Sequence, residues 1–301
     1  MKKKVLIIGF GSIGKRHASI LSQFKNIGKV FVLTKQKSNI QNRIKNLNEI
    51  KLIDPDYILI CSRTSDHYKH LQFIEKNLKN KIILVEKPLF MESKNFKIKN
   101  NKVFVGYNFR YHPIIKYIKN FIKNKKIFSV SVNCKSYLPH WRKNIEYSKS
   151  NSAKKIFGGG VLLELSHEID YIQWIFKKIK KIDNIRMKKI SNLKINTEDC
   201  VTIIGKTLMT NFIIDLNFFS LNTERVIIVD GNNFTLKADL IRNFVKIFGK
   251  GKKIIKFNVK KDFTYSQQHK FLMKGNYHQS CTYSQGKKLM LLIDRLKKNY
   301  K

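Results

Sequence analysis

Polar residues at two places in the sequence could together act on an alcohol carbon. VEKPLF at 85–90 puts a glutamate, Lys87 and a proline directly after an apolar, strand-like run. Further along, Glu164, His167 and Asp170 recur every three residues behind three glycines. A lysine can stabilise a developing alkoxide, and a histidine can carry a proton near neutral pH. The residues therefore predict acid–base chemistry, with a solvated strand end and a solvated helix face as the alternatives.

A glycine pattern near the start of the chain indicates a dinucleotide site. GFGSIG at 9–14 has the form GxGxxG and lies between an apolar run and an amphipathic stretch. The first glycine makes a tight turn, the second lets the backbone approach a pyrophosphate, and the third lets helix and strand pack closely. N–H groups at the helix start would bind the phosphates. A plain tight turn is the alternative. The residues expected to bind the cofactor are Gly9, Gly11, Ser12, Ile13 and Gly14.

The residue that ends the second predicted strand reports on the type of nicotinamide cofactor. An acidic residue there binds the ribose 2′-hydroxyl of NAD. This sequence instead has Thr34, followed by Lys35 and Lys37. No acidic residue is present here to repel the 2′-phosphate of NADP, and two lysines lie close by in the sequence. The pattern therefore favours NADP over NAD.

Alternating strands and helices must position these groups. The first hundred residues alternate β-branched runs with amphipathic stretches, which predicts parallel strands joined by crossover helices. The carboxyl ends of such strands line the ligand crevice. We therefore expect Glu86 and Lys87 to lie beside the nicotinamide. The residues after the third predicted strand, DYILIC at 56–61, should also border the cofactor, namely Ser62, Arg63, Thr64 and His67.

Later strands are longer and alternate more clearly, which predicts a mainly antiparallel sheet. Helices are expected over 113–124, 160–176 and 284–298. We therefore predict an α/β chain with an N-terminal Rossmann domain over 1–112, built on a doubly wound parallel sheet. A C-terminal α+β domain over 113–301 should be built on a large open, mainly antiparallel sheet.

Composition narrows the class of protein. The net charge is +41, yet only nine of the 61 basic residues are arginines and the lysines are spread evenly. Proteins that recognise nucleic acid sequences usually present clustered arginine side chains, whose guanidinium groups bind bases and phosphates in pairs of hydrogen bonds. We therefore predict no specific nucleic acid as partner. A positive field could still attract an anionic small substrate. The absence of a run of about 18 apolar residues argues against a membrane partner. Four scattered cysteines without a CxxC pair predict reduced thiols, a cytoplasmic location and no metal site.

Five motifs in order resemble the glucose–fructose oxidoreductase, inositol dehydrogenase and MocA (Gfo/Idh/MocA) family. They are GFGSIGKRH, CSRTSDHYKHL, VEKPLF, VGYNFRYHP and GGGVLLELSHEIDYIQWIF. In this family the EKP lysine lies beside the nicotinamide, and the helix led by glycines carries an acid and a histidine that face the substrate. The resemblance implies Lys87, Glu164 and His167 as catalytic residues. Those three would also bind substrate, as would Asn108, Arg110 and Asp170.

The resemblance also bears on the substrate, because sugars and cyclitols are the family's usual substrates. Trp141 and Arg142 would suit a sugar ring with an anionic group, such as a nucleotide diphosphate. A tryptophan packed at a sheet rim is the alternative. We expect an NAD(P)-dependent oxidoreductase acting on a hydroxyl or keto carbon of a sugar or nucleotide-linked sugar in surface glycan biosynthesis. It should form a homodimer or homotetramer through the C-terminal sheet. A non-catalytic dinucleotide-binding regulator and a basic nucleic-acid-binding protein are the alternatives.

Overall fold

The computed structural model of the protein describes residues 2–36, 40–142 and 145–298. The chain divides into two compact units. The first consists of Met1–Asn108 and Asp262–Leu291, and the second of Phe109–Lys261 and Leu292–Lys301. The first unit contains a Rossmann-like, almost wholly parallel sheet and the second a large, mainly antiparallel one, so the predicted fold class is confirmed.

In the first unit helices follow β1, β3 and β4, as expected for crossover connections between parallel strands. Its strands are β1 (Lys3–Ile8), β2 (Ile27–Leu33), β3 (Arg43–Ile44), β4 (Tyr57–Ile60), β5 (Ile82–Val85), β6 (Lys102–Val105) and, late in the chain, β15 (Cys281–Thr282). Its helices are α1 (Ser12–Leu21), α2 (Glu49–Ile53), α3 (Thr64–Asn77), α7 (Phe263–Met273) and the part of α8 (Tyr283–Lys298) up to Leu291.

The strand order of this sheet fixes where a ligand can bind. Within the described residues the order is β15-β6-β5-β4-β1-β2-β3, and each neighbouring pair is parallel except β15 with β6. The chain runs outward from β1 to one side through β2 and then to the other side through β4. Such a reversal leaves a crevice beyond the carboxyl ends of the two strands at the switch point. The loops after β1 and β4 are therefore the expected ligand loops.

Apolar packing holds these strands in place. The strand β4 is fully buried along its length, as expected for a parallel sheet covered by helices. The helix α1 turns Gly14, His17 and Leu21 inward, at the spacing of one helix face. The helix α7 adds Leu272 and Met273 to the same core. Residues from both ends of the chain thus complete one hydrophobic core.

The second unit is built on strands that mostly form a meander. They are β7 (Ile127–Tyr137), β8 (Ile179–Lys188), β9 (Cys200–Thr207), β10 (Asn211–Asn217), β11 (Phe219–Gly231), β12 (Phe234–Asp239), β13 (Phe244–Phe248) and β14 (Lys252–Lys256). Their order in the described part of the chain is β14-β13-β12-β11-β7-β10-β9-β8, with β7 and β10 parallel and the other pairs antiparallel. The helices of this unit include α4 (Pro113–Phe121), α5 (Val161–Glu164) and α6 (His167–Phe176).

The helix predicted over 160–176 is in fact two helices. The break lies at Leu165, whose φ of −99° and ψ of 27° depart from helical values. At the next position, the Ser166 hydroxyl donates a hydrogen bond of 2.8 Å to the carbonyl oxygen of Leu163. A serine that bonds a nearby carbonyl competes with the backbone ladder, which explains why one helix ends and another begins here.

No helix among residues 2–36, 40–142 and 145–298 is long and apolar enough to cross a lipid bilayer.

Candidate functional site

The three glycines after β1 have separate structural roles. Gly9 has a φ of +93°, and a Cβ atom on it would lie 2.6 Å from the backbone of Ser62. A Cβ on Gly14 would lie 2.1 Å from the carbonyl oxygen of Gly9. A Cβ on Gly11 would meet no described atom within 4 Å. The first and third glycines are therefore needed for packing, whereas the second leaves open space above the backbone.

The start of α1 fits a dinucleotide pyrophosphate. The N-cap residue is Gly11, which has no side chain to cap the first turn. Ser12 is exposed and Ile13 is half-buried at the first two helical positions. Backbone N–H groups at such a helix start attract anions because they lack partners in the helix itself. Open space at Gly11 and these N–H groups are the features that the role predicted for the glycine motif requires, and cofactor binding by these residues stays a prediction.

The loop after β2 brings a cation to Thr34 that the sequence analysis missed. Arg43, in β3, donates from Nε to the carbonyl oxygen of Thr34 at 3.2 Å. The hydroxyl of Thr34 accepts the N–H of Gln36 at 3.2 Å, and Lys35 is exposed. Lys37 lies outside the described residues. A two-residue strand leaves almost no periodic signal, so the sequence could not place Arg43 here.

The residues after β4 lead into the helix α3. The Ser62 hydroxyl forms a 2.9 Å hydrogen bond with Nδ1 of His70. Arg63 is the N-cap residue of α3 and Thr64 its first residue. These three predicted cofactor residues therefore lie at the carboxyl end of β4, next to the glycine turn that contacts Ser62.

His67, another predicted cofactor residue, ties two strand ends together. Its ring is buried, with Nδ1 3.1 Å from the carbonyl oxygen of Pro88 and Nε2 3.1 Å from that of Ser62. Burial lowers the pKa of His67, although the carbonyl oxygens of Pro88 and Ser62 favour its protonated form. The imidazole thus connects the loop after β4 with the loop that carries Lys87.

Glu86 and Lys87 lie at the carboxyl end of β5, where the sequence placed them. The Glu86 carboxylate is buried and accepts the backbone N–H of Lys87 at 3.2 Å through Oε2. Its Oε1 lies 2.8 Å from Nε2 of His17 on α1. A Cβ on Gly106 would lie 2.9 Å from the same carboxylate. Lys87 itself is half-buried.

His17 lies within the GFGSIGKRH motif, but its sequence position predicted no role for it. It follows Gly14 by three positions and Leu21 follows it by four, so the three share the inward face of α1. A polar residue on an apolar helix face needs a buried partner. That signal was present in the sequence, but it could not identify Glu86 as the partner.

In the second unit, the glycines at 158–160 seat the short helix α5. Gly160 has a φ of +107°. A Cβ on Gly160 would clash with the Glu198 carboxylate, which accepts the N–H of Leu162 at 3.1 Å. Burial raises the pKa of Glu198. Gly160 therefore makes room for the Glu198 side chain, which caps the helix before Glu164.

The residues predicted as a catalytic acid and base lie on different helices. Glu164 ends α5 and accepts a 2.8 Å hydrogen bond from the hydroxyl of Ser152. His167 begins α6, is 7% exposed, and packs edge-on against Phe109 with ring centroids 4.8 Å apart. Of the predicted trio, only His167 and Asp170 share a helix.

Arg110 and Asp170 bind each other. Nε and Nη2 of Arg110 donate to the two carboxylate oxygens of Asp170, at 2.9 and 2.6 Å. Their side chains are only 5% and 4% exposed. This buried ion pair, with its two hydrogen bonds, connects α6 to the turn that contains Arg110. That either residue binds substrate stays a prediction, as it does for Asn108, whose side chain donates to the Thr264 hydroxyl at 2.9 Å.

Trp141 and Arg142 both line a small surface hollow of the second unit. The Trp141 indole donates to the Ser136 hydroxyl at 3.0 Å, and its ring is 37% exposed. Arg142 is exposed. Ser152 lines the same hollow and also bonds Glu164, so the hollow adjoins that predicted catalytic acid.

Comparisons with known proteins match part of the first unit to a family model. Residues 3–98 match the family model GFO_IDH_MocA, described as "Oxidoreductase family, NAD-binding Rossmann fold". A similar protein is the glucose-6-phosphate 3-dehydrogenase of Bacillus subtilis strain 168, which is 27% identical over 219 residues. That match covers 67% of this chain and 61% of the relative, so the chain aligns with under two thirds of the relative's length.

Solved structures resemble the whole chain in fold. The WlbA dehydrogenase of Bordetella pertussis, in complex with NADH and UDP-GlcNAcA, has a TM-score of 0.75 and 14% identity, covering 99% of this chain and 96% of the other. A levoglucosan dehydrogenase in complex with NADH has a TM-score of 0.82 and 14% identity over the same shares. The UDP-N-acetylglucosamine 3-dehydrogenase of Acidithiobacillus ferrooxidans has a TM-score of 0.76 and 13% identity, covering 100% and 98%.

Proposed function

We propose that the chain is a member of the Gfo/Idh/MocA family of oxidoreductases, on the match of residues 3–98 to that family's model, and that it is an NAD(P)-dependent sugar dehydrogenase or reductase. The reaction moves a hydride between the nicotinamide and a hydroxyl or keto carbon of a sugar or nucleotide-linked sugar. The observation that carries this proposal is the glycine turn at the switch point, with its open Gly11, on the same parallel sheet that ends in Lys87.

The cofactor, when bound, supplies or accepts the hydride, and the protein's residues handle the substrate oxygen. The Lys87 ammonium donates a hydrogen bond to that oxygen and stabilises its developing negative charge. During oxidation His167 takes the hydroxyl proton, and during reduction it returns one. Glu164 is assigned as the acidic residue of the catalytic set. The hydrogen bond from the Ser152 hydroxyl, which fixes its carboxylate, supports this assignment. Asp170 is the weaker candidate because Arg110 already occupies both of its oxygens.

The substrate class proposed is a sugar that carries an anionic group, either a phosphate or a nucleotide diphosphate. Trp141 offers a half-exposed ring for a sugar face, and Arg142 offers a guanidinium for phosphate oxygens. The relatives are consistent with this class, since one acts on glucose 6-phosphate and two are named with UDP-sugars. A role in surface glycan biosynthesis belongs to the same proposal.

NADP is the proposed cofactor in preference to NAD. Thr34 stands where an acid would bind the ribose 2′-hydroxyl of NAD, and the Arg43 guanidinium is held at the Thr34 carbonyl. An arginine beside this position can accept a 2′-phosphate. Similar proteins were solved with NADH, so the two cofactors must be compared directly in this protein. Fluorescence titration should show tighter binding of NADPH than NADH, with the difference lost in Arg43→Ala; equal affinities would contradict the preference.

The test of the reaction uses substrate panels and single-turnover kinetics. Purified protein is mixed with NADP or NAD and with sugar phosphates, UDP-sugars and uncharged sugars, while absorbance at the nicotinamide band is followed. With the best substrate, Lys87→Ala and His167→Ala should each slow hydride transfer by about 10²–10⁴-fold. Cofactor affinity should change little, because neither residue belongs to the glycine turn that would bind the pyrophosphate. Turnover near that of the wild type in both variants would overturn the assignment.

The two alternatives give distinct results in the same experiments. A non-catalytic regulator would bind the cofactor without reducing or oxidising any sugar of the panel. A nucleic-acid-binding protein would stay bound to DNA at moderate salt, and its affinity would fall steeply as salt rises.

A further inference from the structure

A chain of buried polar groups in the first unit ends at the backbone of Lys87. The Tyr57 hydroxyl lies 2.8 Å from Nδ1 of His269. On the other side of that ring, Nε2 of His269 lies 2.8 Å from Nδ1 of His17. Nε2 of His17 lies 2.8 Å from Oε1 of Glu86, whose Oε2 accepts the Lys87 N–H. Both histidines and Tyr57 are completely buried. Residues far apart in sequence thus form one continuous line of hydrogen bonds.

The donors and acceptors along this line are consistent in either of two proton arrangements. With the carboxylate of Glu86 as acceptor and both imidazoles neutral, Tyr57 donates to His269, His269 donates to His17, and His17 donates to Glu86. If His17 carries a second proton, it donates to both Glu86 and His269, and His269 then donates to Tyr57. Burial and the neighbouring His17 lower the pKa of His269, which keeps that ring neutral. In both arrangements His17 donates to Glu86.

The surroundings leave the Glu86 carboxylate little room to move. A methyl group at Gly106 would lie only 2.9 Å from its Oε1. His17 holds the same oxygen, and the His17 ring packs edge-on against Tyr265 with centroids 5.4 Å apart. The orientation of the carboxylate in turn fixes the N–H of Lys87 through Oε2.

We infer that His17 is a positioning residue for Lys87, acting through Glu86, and that His269 and Tyr57 hold the His17 ring in place. The inference rests on the proposed catalytic role of Lys87. A lysine side chain has many rotamers, so its use in catalysis depends on a backbone that starts it from one fixed place. The geometry that must be kept is that of one backbone N–H, and the two hydrogen-bonded imidazoles hold the carboxylate that accepts from it.

The experiment compares His17→Leu, His17→Gln and Tyr57→Phe with the wild-type full chain. Leucine removes the donor to Glu86, whereas the glutamine amide can still donate to the carboxylate from about the position of Nε2. Tyr57→Phe removes only the distant hydroxyl. Tyr277→Phe is the matched control. It deletes a hydroxyl in the same unit, from a ring that stacks on Phe104 and does not belong to the line of hydrogen bonds from Tyr57 to Glu86. Hydrogen exchange of the Lys87 amide by NMR, cofactor affinity and single-turnover hydride transfer are measured for each.

In His17→Leu we expect the Lys87 amide to exchange about tenfold faster and hydride transfer to slow by about 10- to 100-fold. Cofactor affinity should stay within about threefold of the wild type, because the phosphate-binding turn is untouched. His17→Gln should recover most of both losses, Tyr57→Phe should show smaller losses of the same kind, and Tyr277→Phe should show none. If His17→Leu does not fold, Tyr57→Phe carries the same comparison.

Unchanged exchange at Lys87 in His17→Leu and Tyr57→Phe would overturn the inference, whatever the activity. Faster exchange with unchanged hydride transfer would overturn it as well. Faster exchange in a protein that oxidises no sugar would support the positioning of Lys87 while rejecting the proposed function, so the two failures can be told apart.

Discussion

The buried pair of Arg110 and Asp170 supports a quantitative prediction about stability. Asp170→Ala would leave the guanidinium of Arg110 without its carboxylate at a site where the two side chains are 5% and 4% exposed. Breaking a buried, doubly hydrogen-bonded ion pair in this way costs about 3–5 kcal/mol. Against a total stability of about 5–15 kcal/mol, that is a large fraction. At about 2–4 °C per kcal/mol for a protein of this size, the melting temperature should fall by about 6–20 °C.

Replacing both members should restore most of the loss. The double variant Arg110→Met with Asp170→Leu removes both charges and fills the space with apolar groups, which is often close to neutral. We expect a coupling free energy of at least about 2 kcal/mol from the double-mutant cycle. Urea unfolding followed by tryptophan fluorescence is a suitable assay, because Trp141 and Trp174 both belong to the second unit.

The exposed pair of Lys181 and Asp183 provides a control, with side chains 73% and 44% exposed. Asp183→Ala should not measurably change the melting temperature, since solvent screens such a pair. An Asp170→Ala protein that loses less than about 1 kcal/mol would refute the reasoning. If that variant instead lost substrate affinity while keeping its stability, the prediction that Asp170 binds substrate would gain support.

Three further predictions follow from packing, charge and surface. Gly14→Ala should destabilise the protein by about 1–3 kcal/mol in thermal melts, because the new Cβ would lie 2.1 Å from the carbonyl oxygen of Gly9. Gly11→Ala should keep the melting temperature, because its Cβ would meet no described atom within 4 Å. Fluorescence titration should show that Gly11→Ala binds cofactor at least about tenfold more weakly. Burial, with the charges of neighbouring cations, lowers the pKa of Lys119 from 10.5 to about 8. The unfolded chain therefore binds more protons between those values, so stability should rise with pH from about 8 to 10.5, and urea unfolding of Lys119→Met should show a flatter profile. Ile204 and Ile213 face each other on β9 and β10 and are 39% and 46% exposed, so we expect the sheet to form a dimer or tetramer; a monomeric mass by light scattering at micromolar concentration would contradict this.

The Rossmann sheet was predictable because its signals are local and strong. The strands β1, β4 and β5 are short apolar runs, and the glycine motif can be read directly from residue types and spacing. The position of Glu86 and Lys87 at a strand end then follows from topology alone. The sequence therefore predicted which residues lie at the crevice end of the parallel sheet.

The missed elements lack such signals. The helix α7, FTYSQQHKFLM, mixes polar and apolar residues without a clear apolar stripe, so its role in the core came only from tertiary packing. The strand β8 is rich in lysine and largely exposed, as an edge strand often is. Helical spacing linked Glu164 to His167, but it could not reveal the break at Leu165, beside which the Ser166 hydroxyl bonds the Leu163 carbonyl.

The discontinuity of the first unit has a consequence for synthesis on the ribosome. Residues 262–291, which follow the long segment of the second unit, supply β15 and His269. The strand β15 pairs with the otherwise open edge of β6, and His269 contacts His17 across 252 positions of sequence. At about 5–20 residues per second, some ten seconds or more separate the emergence of β6 from that of its partner strand. During this interval the nascent Rossmann sheet has an uncovered strand edge and an incomplete core, which are the features that favour aggregation and chaperone binding. Ribosome-bound chains halted near residue 261 should accordingly be digested far faster by protease than chains halted beyond the final helix.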